Sequence, residues 1–436
     1  MTVISVIGCG YLGAVHAAAM ASIGHDVIGV DVDAERIAAL AQYRPPFFEP
    51  GLPELLSAGQ ESGRLAFTTD IGAARAASVH FVCVGTPQAR NGLGADMAFV
   101  DAAVDSLLPQ LDTGDLVVGK STVPVGTAER LAPAIRERGA ELAWNPEFLR
   151  EGHAVEDTLR PSRFVYGVPA GKAGQRAAAK LDEVYADGLE AGISRLTADY
   201  ATAELVKTAA NSFLATKISF INAMAELCEA SGADVTVLAE ALGMDERIGR
   251  AFLNAGLGFG GGCLPKDIRA FMARADELGA DQAVGFLREV DAINLRRRER
   301  TVDLARQELD GSVAGRRIAV LGASFKPNSD DVRDSPALDV ARMLAREGAQ
   351  VRVADPQALD NARRVAPELD YATTAAEALT GADLVLLLTE WAEYRDLDPQ
   401  DAGAAVARRV VVDGRNALDP HRWRSAGWTY RALGRP

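Results

Sequence analysis

The chain has 436 residues, of which 48% are apolar and 24% charged, and it carries a formal net charge of −14. This length predicts two or three domains, and the negative charge argues against nucleic acid or an anionic membrane as a partner. The four cysteines are widely spaced and form no CxxC pair, which indicates neither a zinc site nor a disulfide framework. No signal peptide or membrane-spanning run is expected, so the sequence predicts a cytoplasmic protein.

The N-terminal stretch has the pattern strand, glycine turn, helix, strand and acid. Val3–Ile7 is followed by GCGYLG at residues 8–13, and a second strand, Asp26–Val30, ends at Asp31. In this context G-x-G-x-x-G predicts a dinucleotide site: the glycines permit a tight turn, the approach of a pyrophosphate, and close packing of helix on strand. Asp31 favours NAD, since its charge would repel a 2′-phosphate, although Arg36 nearby could accept one. A doubly wound domain without a dinucleotide is the alternative.

Three further strands are expected to lead into polar loops. Val79–Val84, Leu116–Gly119 and Leu142–Trp144 each fit this pattern, and the third is expected to be the last strand of the domain. Ligands of open α/β sheets bind beyond the carboxyl ends of the strands, so these loops should border the cofactor. The third loop, NPEFLREG, carries Glu147 and Glu151, whose spacing would be typical of a solvated face on an ordinary helix.

A long helix is predicted in the middle of the chain. Residues Thr197 to Ser231 contain neither glycine nor proline, which corresponds to roughly 50 Å of helix. Lys207 and Asn211 share one face of it, although a lysine beside alanines usually lies on the surface. Self-association would cover the helix's apolar face, which includes Leu205, Phe213, Ile221 and Leu227.

More helices are expected as far as Glu308. Val235–Ala241 forms the first of them, and the arginine run Arg296–Arg298 is expected on a solvated helix face.

Residues 252–271, FLNAGLGFGGGCLPKDIRAF, place Cys263 directly after three glycines. A helix interior loses ~1 kcal/mol for each glycine, so this run favours a loop whose backbone approaches something closely. Pro265 and Asp267 are signals for the start of a helix. The thiol is therefore expected just ahead of a helix N-terminus, where the positive potential favours a thiolate. A surface turn with an inert, buried thiol is the alternative.

A second doubly wound pattern begins at Arg316. Its glycine turn is replaced by Gly322-Ala323-Ser324-Phe325-Lys326, where a dinucleotide pyrophosphate could not lie as close. The loop 325–336 offers Lys326 and Arg333 for a mononucleotide phosphate. The predicted elements are the strands Ile318–Leu321, Val351–Ala354, Leu384–Leu388 and Val410–Asp413 and the helix Asp339–Arg346.

Seven motifs occur in one order along the chain: GCGYLG with Asp31, STVPVGT, NPEFLREG, VKTAANSFLATKISFINAMAELC, DERIG, FGGGCLPKD and FKPNSDDVRDSP. In these motifs, which span essentially the whole chain, the sequence resembles the UDP-glucose/GDP-mannose dehydrogenase family. The resemblance implies an α/β fold with two Rossmann-like doubly wound domains, a long central helix and a small all-helical middle domain. Gly262 and Phe259 depart from the family, which commonly has serine and tyrosine there.

The domains implied by the resemblance are a NAD-binding domain at 1–196, a central helical domain at 197–308 and a UDP-sugar-binding domain at 309–436. The central domain would carry the dimer contact and the catalytic cysteine loop. The implied assembly is a homodimer, to which Arg247 would contribute across the subunit boundary.

The resemblance also implies the reaction, a four-electron oxidation of a sugar-nucleotide primary alcohol to a carboxylate with two NAD. UDP-glucose is the favoured substrate, and GDP-mannose and a UDP-N-acetylhexosamine are the alternatives. A catalytically silent sugar-nucleotide-binding protein is the alternative outside the enzymes. The implied catalytic roles are the covalent thiol for Cys263, proton removal for Asp267 with Lys207, the hydrolytic water for Glu147, and oxygen positioning for Thr122 and Asn211.

No metal is implied by the family. The implied NAD-binding residues are Gly8, Gly10, Tyr11, Leu12, Gly13, Asp31, Arg36, Thr86, Thr122, Glu151, Lys266 and Arg333. The implied substrate-binding residues are Glu147, Phe148, Leu149, Arg150, Glu151, Lys207, Asn211, Arg247, Phe252, Asn254, Gly256, Phe259, Gly260, Cys263, Phe325 and Lys326.

Overall fold

The fold was analysed in a computed structural model that describes residues 1–436. The chain divides into two units. The first comprises Met1–Ala210 and Arg269–Gly279, and the second comprises Asn211–Ile268 and Ala280–Pro436. None of the helices combines the length and the apolar character needed to cross a membrane. The predicted domain boundaries at residues 196 and 308 stay a prediction.

The first unit is built on an eight-stranded sheet with the order β3-β2-β1-β4-β5-β6-β7-β8. All neighbours are parallel except β6 and β7, which are antiparallel. The chain order reverses at β1, which pairs with both β2 and β4, and such a switch point is where open α/β sheets bind ligands. The strands are β1 (Val3–Ile7), β2 (Asp26–Val30), β3 (Leu65–Thr68), β4 (Val79–Val82), β5 (Leu116–Gly119), β6 (Glu141–Trp144), β7 (Phe164–Gly167) and β8 (Arg195–Ala198).

Small side chains let the first helix pack tightly on this sheet. Residues 13–21 of that helix are all buried, and five of them are alanines between Ala14 and Ala21. The helices that begin in this unit are α1 (Tyr11–Ser22), α2 (Ala34–Leu40), α3 (Leu52–Glu61), α4 (Ala98–Leu107), α5 (Thr127–Glu137), α6 (Ala154–Leu159), α7 (Lys172–Val184), α8 (Ala186–Glu190) and α9 (Tyr200–Ser231).

The predicted N-terminal strands are confirmed, but three details were wrong. β4 ends at Val82 rather than Val84, and β6 is not the last strand, since β7 and β8 follow it. Thr197 lies in β8, so the long helix begins at Tyr200, where Asp199 accepts a hydrogen bond from the Thr202 backbone N–H at 2.7 Å. β8 was missed because it has only four residues and its side chains are mostly exposed, so it lacks the apolar run of a buried strand.

Three further helices follow, α10 (Val235–Gly243), α11 (Leu264–Glu277) and α12 (Phe286–Glu308). Ile221 was expected on an uncovered face of α9, but it is buried in a small core with Val235 and Leu253. Of the other apolar residues predicted on that face, Leu205, Phe213 and Leu227 are exposed.

The arginine run on α12 was expected to be solvated, and this was wrong for two of its three members. Arg297 and Arg298 are buried. Arg297 pairs with Glu229 at 3.2 Å, and Arg298 pairs with Asp334 at 2.9 Å. Their partners come from distant parts of the sequence, so the run itself gave no signal of burial.

The second unit contains a six-stranded parallel sheet with the order β11-β10-β9-β12-β13-β14. The four predicted strands are confirmed to within one residue at each end, whereas β11 and β14 were missed. The strands are β9 (Arg317–Leu321), β10 (Gln350–Ala354), β11 (Asp370–Ala372), β12 (Leu384–Leu387), β13 (Val410–Asp413) and β14 (Thr429–Ala432). The remaining helices are α13 (Pro336–Arg346), α14 (Leu359–Val365), α15 (Ala375–Leu379), α16 (Ala392–Arg395), α17 (Pro399–Ala405) and α18 (Pro420–Ser425).

Candidate active site

The glycine turn after β1 has the geometry that the sequence predicts. Gly8 adopts φ +91°, and a Cβ there would stand 2.7 Å from the Val84 side chain. A Cβ on Gly13 would overlap the carbonyl oxygen of Gly8, so this glycine lets α1 pack against the turn. Gly10 differs from both, because no protein atom lies within 4 Å of its Cβ position. The backbone at Gly10 is therefore open to a ligand.

The N-terminus of α1 also fits a pyrophosphate. No side chain caps this end of the helix, and its first turn contains no acidic residue. Uncapped N–H groups and the helix dipole together attract anions. Leu12, predicted at this site, packs partly against the core of the unit. The residues present therefore fit NAD.

Asp31 is buried at the end of β2 and is held from several directions. Its oxygens accept hydrogen bonds from the backbone N–H groups of Cys9 at 2.7 Å and Asp33 at 2.9 Å. The guanidinium of Arg36 pairs with Asp31 at 2.9 Å. Arg36 is therefore committed to a carboxylate rather than left to bind a 2′-phosphate, which fits NAD rather than NADP.

Two loops beyond the sheet are tied together. The Thr86 hydroxyl, after β4, donates to the carbonyl oxygen of Thr122, after β5, at 2.8 Å. The buried Glu204 on α9 accepts from the backbone N–H groups of Gly126 and Ala128, each at 2.7 Å, and so caps α5. Burial raises the pKa of Glu204 despite these hydrogen bonds. Sequence reasoning missed Glu204, since nothing local distinguishes it from a surface glutamate.

The loop after β6 is organised around Glu147. One of its oxygens accepts from the backbone N–H groups of Phe148 at 2.7 Å and Leu149 at 3.2 Å. The other pairs with the buried Lys120 at 3.0 Å. Sequence reasoning placed Lys120 in a polar loop but gave it no role.

A second buried carboxylate, Glu49, anchors the far end of this loop. It accepts from the backbone N–H groups of Gly152 and Ala154, each at 2.7 Å, and from the Tyr11 hydroxyl. Glu151 is also buried here. Glu49 therefore connects the loop to the first turn of α1, and the sequence gave no sign of it.

Phe148 lies between two cations. The Arg163 guanidinium lies 4.0 Å from the centroid of its ring, and the Lys207 amine lies 5.5 Å from it. Lys207 therefore lies near this loop. Arg150, predicted to bind substrate, pairs with Asp157 at 2.8 Å, and its role stays a prediction.

In the second unit, Cys263 lies just ahead of α11, which begins at Leu264, as predicted. The thiol is exposed and forms no disulfide, which excludes the alternative of a buried thiol. Asp267, in the first turn, accepts from the Asn211 amide and the Lys266 amine, each at 2.6 Å. Its backbone N–H donates to the Cys263 carbonyl at 2.9 Å. The structure thus brings four of the predicted residues together.

The glycine loop before Cys263 is clamped by amide side chains that sequence reasoning missed. Asn294 accepts from the Phe259 N–H at 2.7 Å and donates to the Phe259 carbonyl at 2.9 Å. Asn222 accepts from the Gly256 N–H at 2.8 Å. Gly258, with φ +95°, has no room for a Cβ because Asn294 occupies that space.

The same loop packs against residues 325–336. A Cβ on Gly260 would overlap the Asp334 carbonyl, and one on Gly261 would stand 2.8 Å from the Phe325 ring. The Arg333 guanidinium occupies the space of a Gly262 Cβ. A serine at position 262 would therefore require the Arg333 guanidinium, on a side chain that is 63% exposed, to move aside.

Basic groups lie near the turn after β9. The Lys326 amine lies 5.3 Å from the centroid of the Phe325 ring. Arg415, which the sequence did not identify, donates to the carbonyls of Gly258 at 2.9 Å and Phe325 at 3.1 Å. Arg415 therefore fixes the cysteine loop against this turn.

The remaining predicted residues precede the glycine loop. Arg247 has a side chain that is 87% exposed, and it pairs with Asp245. Asn254 accepts from Arg250 at 2.7 Å, and Phe252 adopts φ +65°.

Comparison with known proteins matches three family models along the chain. They describe the NAD binding domain (residues 2–188), central domain (201–296) and UDP binding domain (319–420) of the UDP-glucose/GDP-mannose dehydrogenase family. A UDP-glucose 6-dehydrogenase of Rhizobium meliloti strain 1021 is 42% identical over 438 residues, covering 99% of each chain.

Two solved structures are also similar. A UDP-glucose dehydrogenase from Pyrobaculum islandicum is 39% identical with a TM-score of 0.90, covering 100% of this chain and 98% of that one. A UDP-D-ManNAc dehydrogenase from Pyrococcus horikoshii is 25% identical with a TM-score of 0.86, covering 99% of each chain.

Proposed function

The chain belongs to the UDP-glucose/GDP-mannose dehydrogenase family, and we propose that it is an NAD-dependent enzyme that oxidises UDP-glucose to UDP-glucuronate. One observation supports this most directly: an exposed thiol, Cys263, begins a helix in a chain that also carries a glycine turn fit for NAD. A nucleotide-sugar oxidation in two steps needs both a hydride acceptor and a covalent anchor for the aldehyde.

In the first oxidation the C6 hydroxyl must lose its proton as hydride leaves. Bound NAD accepts the hydride in each of the two oxidations. We assign proton removal to Asp267 through an ordered water, and stabilisation of the forming oxyanion to the cation of Lys207. Asn211 and Lys266 donate to Asp267 and so fix the orientation of its carboxylate. Asn211 and Thr122 position the sugar oxygens.

The second oxidation uses the thiol. Cys263 adds to the aldehyde carbon, and the resulting thiohemiacetal loses hydride and a proton to become a thioester. A thiolate is the best protein nucleophile near pH 7, and the start of α11 is where the helix dipole favours it. Water then attacks the thioester carbon, the carbon–sulfur bond breaks, and the thiol is restored. We assign Glu147 to that water.

The identity of the substrate rests on the pattern of relatives. The similar UDP-glucose enzymes are 42% and 39% identical, against 25% for the UDP-D-ManNAc enzyme. The match to a UDP binding domain supports a uridine nucleotide. The deciding assay offers UDP-glucose, UDP-N-acetylglucosamine, UDP-N-acetylmannosamine and GDP-mannose at equal concentration with excess NAD.

We expect UDP-glucose to have the highest kcat/KM by at least ~100-fold, a difference of ~2.7 kcal/mol in transition-state binding, with two NADH formed per sugar. Preference for GDP-mannose or an N-acetylhexosamine would replace this assignment with the same chemistry on another sugar. Binding of sugar nucleotide without any NADH would indicate a catalytically silent protein.

We further propose that the enzyme is a homodimer formed through α9. Phe213, Phe220 and Leu227 are spaced seven residues apart, so they lie along one stripe of the helix. They are 67%, 49% and 60% exposed, which is unusual for three large apolar residues in a row. The same stripe on a second copy would cover them.

We place the activity in the cytoplasm. None of the four cysteines forms a disulfide, as expected where thiols are kept reduced.

A further inference from the structure

Lys120 is a buried cation beside the proposed hydrolytic residue. It follows β5, and its side chain is 4% exposed. Its amine lies 3.0 Å from Glu147, 3.1 Å from the Asn145 amide oxygen and 3.3 Å from the Tyr185 hydroxyl. Tyr185 donates in turn to Asn145 at 2.7 Å. The three donor directions of the amine are therefore used.

This lysine stays charged. Burial alone would lower the pKa of Lys120, but the carboxylate of Glu147, with Tyr185 and Cys83, outweighs burial and raises it above its ordinary value. An amine that holds its proton this firmly cannot serve as a base near neutral pH. Its contribution is a fixed positive charge.

Lys120 is the cation that pairs with Glu147, since the other cation lining this cavity, Arg163, packs on the Phe148 ring, 4.0 Å from its centroid. His16 lines the same small cavity as Lys120, Glu147 and Thr158. Burial, and next the cation of Lys120, lower the pKa of His16 well below its ordinary value, so this ring is neutral. Neither nitrogen of His16 nor the Thr158 hydroxyl bonds to a protein group. Water held in such a cavity hydrates polar atoms but does not neutralise a carboxylate.

We propose that Lys120 is a positioning residue for thioester hydrolysis, holding the carboxylate of Glu147 in one orientation toward the attacking water. The proposal rests on the proposed function, because it assigns Lys120 to the step given there to Glu147. In that step water bonds to the thioester carbon, its proton passes to Glu147, and the sulfur leaves to recover the Cys263 thiol with that proton. In this scheme neither oxidation uses Glu147 as its base.

The geometry explains why the cation matters at this one step. The Phe148 and Leu149 N–H groups hold one oxygen of Glu147, and Lys120 holds the other. Removing one partner of a mostly buried ion pair leaves the other charge uncompensated, which drives that side chain to turn away toward new partners. A Glu147 carboxylate that has turned away from the water cannot accept its proton. General base catalysis typically contributes ~10²–10⁴-fold.

The test follows NADH and the covalent intermediate in the full-length enzyme with UDP-glucose and NAD. For Lys120→Met we expect a burst of two NADH per active site at the wild-type rate, then turnover slowed at least ~100-fold. Intact-protein mass spectrometry after acid quenching should show the thioester adduct. Lys120→Arg, which keeps the cation, should recover part of the lost rate, and the exposed Lys172→Met serves as the matched control.

A double variant distinguishes the loss of this positioning role from a general loss of folding. Glu147→Gln with Lys120→Met removes both charges, and it should turn over as fast as Glu147→Gln alone, because Lys120 acts through Glu147. Three results would each overturn the proposal. In Lys120→Met, the burst and the turnover could be slowed equally, or hydrolysis could stay within about 3-fold of wild type. In the double variant, turnover could fall about 10-fold further than in Glu147→Gln alone. If wild type forms no NADH with UDP-glucose, the proposed function itself fails.

Discussion

Replacing either of two glycines in the same turn by alanine should impair the protein, but in different ways: Gly13→Ala should lower stability and Gly10→Ala should lower NAD affinity. The Gly13 methyl would overlap the Gly8 carbonyl and stand 3.2 Å from the Cys83 Cβ, where ordinary carbon contacts are ~3.5–4.0 Å. The obstacle is backbone, so α1 must move, and overpacking of this kind costs ~1–3 kcal/mol. The higher helix propensity of alanine offsets up to ~1 kcal/mol of this cost. We expect Gly13→Ala to lose about 2 kcal/mol of stability.

Gly10→Ala should leave the fold intact. Gly10 has φ −67°, and its Cβ position is open, so we expect stability within ~0.5 kcal/mol of wild type. The added methyl would stand where the pyrophosphate approaches, so NAD affinity should fall at least ~100-fold, or ~2.7 kcal/mol. Urea unfolding and titration calorimetry measure the two effects, with the open-loop Gly92→Ala as control. Wild-type NAD affinity in Gly10→Ala would refute placement of the cofactor over this turn.

Three further outcomes follow from the site. Cys263→Ala should abolish acid formation while NAD and UDP-glucose still bind by calorimetry, and release of two NADH per sugar would disprove the thioester route. Gly262→Ser should displace the flexible Arg333 guanidinium and change the free energy of unfolding by no more than ~0.5 kcal/mol. It should also lower kcat/KM for NAD, and the effects of Gly262→Ser and Arg333→Ala on kcat/KM should not add in the double variant. Sedimentation should give the same dimer mass at micromolar and nanomolar concentration, and Phe220→Glu should give monomers; an active monomeric wild type would contradict this interface.

The sequence predicted elements whose signals are local. The turn at Gly8, Gly10 and Gly13, the central strands of the two sheets and the start of α11 each depend on a few adjacent residues, and the structure has them as expected. The strands β3, β7, β8, β11 and β14 were not predicted. The position of Cys263 ahead of a helix was predictable for the same reason, since the glycines before it and the helix start after it both lie within ten residues.

Residues whose roles depend on distant partners could not be predicted. Lys120 meets Glu147, Glu204 caps α5 from α9, and Asn294 clamps Phe259 from α12. In each case the two partners are 27 to 78 positions apart, so neither one is informative until the fold is known. Arg297 was misjudged for the same reason, since a run of arginines indicates a solvated face unless acids such as Glu229 converge on it.

Each of the two doubly wound sheets has an aspartate directly after its second strand in a similar sequence context, Asp31 after β2 and Asp355 after β10. The two aspartates look equivalent in the sequence but have different surroundings. Asp355 accepts hydrogen bonds from the backbone N–H groups of Ala323 and Ser324 at 2.8 and 3.0 Å and from the indole of the buried Trp391 at 3.1 Å. Asp31 also accepts from two backbone N–H groups, but it pairs in addition with Arg36, whose side chain is 33% exposed and can turn to another anion once the carboxylate is removed.

Asp355→Asn should therefore cost stability without changing cofactor choice. The other oxygen of Asp355 accepts from the backbone N–H groups of Gln357 and Ala358 at 2.9 and 2.8 Å, so the amide nitrogen of asparagine would face donors in either orientation. Each buried group left unsatisfied costs ~1–3 kcal/mol, so urea unfolding should show a loss of at least ~2 kcal/mol. Asp31→Asn should instead reduce the ratio of kcat/KM for NAD over NADP, which we expect to be at least ~100-fold in wild type. It removes the repulsion and releases Arg36 toward a 2′-phosphate. An unchanged ratio in Asp31→Asn would mean that another group, such as Asp33, which also pairs with Arg36, determines the preference for NAD.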